Sequence, residues 1–155
     1  MVYFRSYGEE GGALKPRLAA LADYASVSFD GKLSIMGIVA EVHASAMPFQ
    51  LPPMYLVFSL EAEPEEYGEE YRIQVILRYE NGEGGQILDV KGALQVPRSE
   101  RPGRVITNQL IALGGLTLEH AGTYTFSVSV GGEEEEVVAV PLDVQFLSSE
   151  PTGGS

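Results

Sequence analysis

From Ala25 onward, apolar and polar residues alternate with period two, the spacing of strands with one face in a core and one in water. Ala25-Ser26-Val27-Ser28-Phe29 and Lys32-Leu33-Ser34-Ile35-Met36-Gly37-Ile38-Val39 flank Asp30-Gly31, which predicts a hairpin closed by a two-residue turn. Pro48, Pro52 and Pro53 interrupt pairing, and the nearly continuous apolar run Met54–Leu60 predicts a central strand. Tyr71, Ile73, Val75, Leu77 and Tyr79 then share one face, opposite Arg72, Gln74, Ile76 and Arg78, before a turn at Asn81-Gly82. Further strands are expected over 87–96 and 105–113, separated by Pro97–Gly103, and over 124–130 and 138–146. Helical spacing is weak and confined to Leu14–Leu21, where Pro16 limits any helix to about two turns. The prediction is all-β, an antiparallel sandwich of about eight strands with at most one short N-terminal helix. An arm (1–13), a sandwich domain (14–147) and a flexible tail (148–155) make up the chain.

Composition narrows the class. At 155 residues, 45% of them apolar, the chain can bury a core without staples. It has no cysteine, which excludes disulfides, thiolate metal sites and a cysteine nucleophile and fits a cytoplasmic location. Met1–Glu10 lack a basic segment followed by an apolar one, so no secretory signal is expected, and no membrane-length apolar stretch occurs. A net charge of −12 argues against binding nucleic acid or anionic membranes, since both require cationic surfaces.

Leu118-Glu119-His120-Ala121-Gly122-Thr123-Tyr124-Thr125-Phe126 resembles the segment leading into the penultimate strand of immunoglobulin-like domains. The resemblance implies that the Tyr124 hydroxyl bonds back to the chain and pins a corner, with Gly122 in the turn. Phe126 would fill by volume the place of the second cysteine. His120 stands where those domains carry Asp. A wider set, Leu21-Ala22-Asp23-Tyr24-Ala25, Gly31–Gly37, Gly122-x-Tyr124-x-Phe126 and Gly131-Gly132-Glu133, resembles an uncharacterised bacterial family of small sandwich proteins. That resemblance implies a fold and a bacterial origin but no activity.

No nucleophile elbow, phosphate-cradling loop or dinucleotide fingerprint is present, so no catalytic residue, cofactor site or metal site is expected. His43 and His120 lie far apart without metal-ligand spacing. The acidic runs Glu61–Glu70 and Glu133–Glu136 lack the Asp/Asn alternation of calcium loops and read as solvated rims guarding strand edges. With no Trp, a sugar-binding face is disfavoured. Asp30 and Gly31, like Gly122, Tyr124 and Phe126, are assigned structural roles.

The arm is the outstanding feature. Val2, Tyr3, Phe4 and Tyr7 form an apolar, β-prone segment that can cover an edge of its own domain or add to a second copy. The expected function is therefore a non-enzymatic protein-interaction or self-assembly module using edges, loops and the arm. The alternative is a sandwich that binds a small ligand.

Overall fold

A computed structural model describes residues 3–4, 14–82, 85–100, 103–131 and 136–147. The chain is all-β. Among the described residues there are twelve strands: β1 Tyr3–Phe4, β2 Lys15–Val27, β3 Leu33–Val39, β4 Glu41–Ala44, β5 Phe49–Gln50, β6 Met54–Ala62, β7 Glu70–Tyr79, β8 Gln86–Gln95, β9 Val105–Leu113, β10 Thr117–Leu118, β11 Gly122–Val130 and β12 Glu136–Phe146. Eight of them are seven residues or longer, matching the periodic segments. The other four run from two to four residues.

The strands form two main sheets. One runs β8-β7-β11-β12, with the far side of β12 shared by antiparallel β1 and parallel β4. The other runs β3-β2-β6-β9, all antiparallel. Leu21, Leu56, Phe58 and Leu60 from the second sheet share one core with Val75, Leu77, Phe126, Val128, Val140 and Leu142 from the first. β6 is central, buried along nearly its whole length. β5 and β10 pair across one end.

The weak helical spacing at Leu14–Leu21 yields no helix, within the limit of at most one short one: 15–27 is a strand, and the only helical turn among the described residues is the 3₁₀ turn Pro64–Glu66. The spacing of Leu14, Leu18 and Leu21 imitates a helix, but β2 lies between β3 and β6. Ala19 to Ala22 are all buried there, and small side chains suit that position. Pro16 sits at a register break against β6, where a missing amide is tolerated.

The β2–β3 turn also differs from expectation. Ser28 N donates to Lys32 O and Gly31 N donates to Ser28 O, so Phe29, Asp30 and Gly31 make a three-residue loop. Only Gly31 takes a positive φ (+85°), which closes the loop after an ordinary turn and spares Asp30 that conformation. Ser28 Oγ bonds Asp30 and accepts from Lys32 N at 2.9 Å.

The acidic segment 61–70 guards no sheet edge at its start. Glu61 lies within the interior strand β6, one residue from its end, and pairs with Arg104 at 3.1 Å and Arg17 at 3.7 Å, while Glu63 pairs with Arg104 at 3.4 Å. Glu66 is 3% exposed. Of the second acidic run, only Glu136 lies among the described residues, in β12 with its side chain accepting from Ser127 Oγ at 2.6 Å.

Candidate interaction surface and turn cleft

The β2–β3 hairpin does not end at the sheet. Asn108 Nδ2 in β9 donates to Gly31 O at 3.1 Å, so the hairpin tip reaches across the second sheet. Beneath it Ala22, Ala25 and Val57 form a separate small core, with Leu33, Ile35, Tyr55 and Leu110 packed against it. The bend lies at Asp23 and Gly37, which face each other without a ladder pair. Gly37 has φ +71°, and a Cβ there would meet Asp23 Oδ2 at 2.6 Å. Both the backbone sign and the space thus require glycine.

This folding leaves apolar side chains outside. Phe29, at the loop, is fully exposed; Met36 is 69% and Ile38 71% exposed on β3; Tyr24 and Val27 are half-exposed on β2. β3 is an edge strand, and no charged residue occurs between Lys32 and Glu41. These residues were not singled out from sequence. The signal was there: Ile35-Met36-Gly37-Ile38-Val39 carries apolar side chains at both parities, so they cannot all face one core.

The arm is placed differently. The backbones of Tyr3 and Phe4 pair antiparallel with Ala139 and Val138 of the same chain. They cover the first half of β12, and β4 covers the second half through Asp143 to Phe146. Val2 and Tyr7 lie outside the described residues, as do 148–155.

At the opposite part of the fold, the turn entering β11 is held twice. Tyr124, 1% exposed, donates its hydroxyl to His120 O at 2.6 Å, and Tyr79 donates to Ala121 O at 2.8 Å. The two phenol rings lie 5.0 Å apart, and His120 stacks on Tyr79 at 5.3 Å. Burial raises the Tyr124 hydroxyl pKa above its ordinary value, partly offset by the His120 backbone N–H, which donates to the phenol oxygen at 3.4 Å. Gly122 takes φ +137°, where a Cβ would sit 2.5 Å from Asn81 Oδ1 and 3.0 Å from the Tyr79 ring. Phe126 is fully buried two residues beyond Tyr124. Tyr79, Ile87, Thr117, Glu119, His120 and Tyr124 line a cleft of about 260 Å³, room for a small molecule only. His43, in β4, faces Glu41 at 2.9 Å and is not among the residues that line His120's cleft. No three metal-ligating side chains cluster among the described residues, and no helix there is long and apolar enough to cross a membrane.

The sequence profile of a family of unknown function, DUF6941, matches residues 17–145. The chain belongs to that family. The DUF6941 region runs from the start of β2 almost to the end of β12 and so takes in the hairpin, both sheets and the tyrosine-held turn. No curated protein matches the chain.

Proposed function

We propose that this DUF6941 chain is a non-enzymatic, cytoplasmic protein-interaction module of bacterial type built on an immunoglobulin-like sandwich. Support for the fold reading comes from the order β12-β11-β7-β8, the order of the last, penultimate, third and appended strands in variable-type domains. The bond from Tyr124 to His120 O, four residues upstream, favours it too. The observation that carries the functional reading is the hairpin, which exposes Met36 and Ile38 on an uncharged edge strand and Phe29 in the loop that leads into it. Solvent-facing apolar clusters of this kind mark contact sites more often than they serve stability. The β1 pairing leaves the arm as a cover for β12, so the hairpin replaces it as the leading contact element.

A photo-crosslinking amino acid at position 29, tested in the native cell, should give a discrete protein adduct. Position 74, on the polar outer face of the first sheet, should give none. Equal yields from both positions would overturn the reading. The second reading, a small-ligand domain, rests on the 260 Å³ cleft, where the His120 and Tyr79 rings offer a stacked aromatic wall.

A further inference from the structure

We propose that the partner of the β3 edge is a second copy of this chain, paired antiparallel about a two-fold axis at Met36. This deepens the interaction reading above and rests on it.

The register follows from the hairpin. Ser28 N donates to Lys32 O, so Ser28 and Lys32 form a hydrogen-bonded pair. Their successors in the ladder alternate without any shift of register from Val27↔Leu33 to Leu21↔Val39. Alternation then turns the main-chain groups of Leu33, Ile35 and Val39 away from β2, toward the open side of the edge, and Gly37, bent by its φ of +71°, occupies the fourth position of the same parity. An antiparallel copy that uses all four must set Leu33 against Val39 and Ile35 against Gly37 of its partner. The dyad of that arrangement falls on Met36, which faces Met36 of the other protomer as a pair without mutual hydrogen bonds. Two four-stranded sheets would become one sheet of eight strands.

Charge selects a copy over a dissimilar partner. Each protomer carries −12, yet the strand that would pair has no charge along its length. An acidic or basic partner would gain nothing there, whereas an identical neutral edge opposes no like charges. The other edges are less suited. β12 is already covered by β1 and β4, β8 carries Asp89 and Lys91, and β9 places Asn108 and Gln109 at its middle. Met36 and Ile38, with Tyr24 beside them on β2, supply the apolar surface that main-chain bonds alone would lack. Their exposed area falls well short of the ~800 Å² each partner buries in a standard interface, so the dimer is weak and its population depends on concentration. Repulsion between two −12 chains also means that added salt strengthens it.

The absence of cysteine makes the register directly testable. Facing residues of a non-hydrogen-bonded antiparallel pair have Cα atoms about 4.5 Å apart, within disulfide range. Met36→Cys should therefore oxidise to a covalent dimer at least ~10-fold faster than Ile38→Cys or Phe29→Cys, whose copies lie far apart in this register. Sedimentation equilibrium of the wild type should show a mass rising toward two protomers with concentration and with salt. Met36→Lys, at an exposed position, should stay folded and lose that rise. A wild type that stays monomeric, or equal oxidation rates at 36 and 38, overturns the proposal. Survival of the position-29 adducts with other proteins in that case would leave the interaction reading standing. Loss of both would end the two together.

Discussion

The turn entering β11 provides a quantitative test, because two tyrosines hold adjacent carbonyls. Tyr124→Phe removes the 2.6 Å bond to His120 O and leaves the buried ring in place. No cavity forms, so the cost is that of one hydrogen bond, about 1 kcal/mol. It does not rise to the full penalty of an orphaned acceptor, because His120 is exposed and water can reach its carbonyl. Tyr79→Phe removes the 2.8 Å bond to Ala121 O, from a partly exposed residue, and should cost the same or somewhat less. The carbonyls belong to consecutive residues of one turn. Once one is released the turn frays, and the second bond holds less. The double variant should then cost less than the sum of the singles, with a coupling of about 0.5 kcal/mol. In a domain this size each kcal/mol moves Tm by about 4 °C, well within reach of thermal and urea denaturation followed by circular dichroism. A double variant that melts like the parent would refute the bracing role. Strictly additive costs would refute the claim that one turn is shared.

Two further outcomes are expected. Burial raises the Glu66 carboxyl pKa above its ordinary value, with Glu63 and Glu65 adding to the rise and the Tyr71 hydroxyl opposing it. The folded state then holds its proton more tightly than the unfolded chain, so stability falls as pH rises from about 4.5 through the folded pKa and is level above. Glu66→Gln should abolish that fall and raise stability at pH 7 by about 1 kcal/mol; a variant less stable than the parent at pH 7 would contradict this. Deleting residues 1–12 removes β1 and bares the first half of β12. The expected result is a lower Tm or a gain in aggregation without change in far-ultraviolet strand signal, and an unaltered melting curve and solubility would show that the arm braces nothing.

How much of this was legible in sequence depends on strand length. Most of the long strands announce themselves because a long run of alternation admits one reading, and β9 falls at the expected 105–113. The two- to four-residue strands β1, β4, β5 and β10 carry too few positions for a period; what lies beside them decides their pairing. The start of β2 is ambiguous in sequence because alanines between leucines fit either a helix or a strand buried on both faces, and only the neighbours β3 and β6 choose. The Tyr124 segment was readable as a motif. Its second brace was not, since Tyr79 is remote in sequence and looked like any other inward aromatic. The hairpin's fold over β9 depends on Gly37 and on the amide of Asn108, a long-range contact without a local signature.

The position of β12 also bears on how the chain is made. Among the described strands β12 leaves the ribosome last, yet two segments synthesised far earlier, β1 and β4, dock on it beside its immediate predecessor β11. The sheet β3-β2-β6-β9 is complete in sequence once Leu113 has emerged. Its partner must wait for Phe146 before β4 can find its parallel neighbour. During translation the apolar inner face of the β3-β2-β6-β9 sheet can therefore be covered only in part, by β7 and β8, until β11 and β12 arrive. A nascent chain stalled before residue 136 should be a client for chaperones that bind such faces, and release should be followed by one late, cooperative closure.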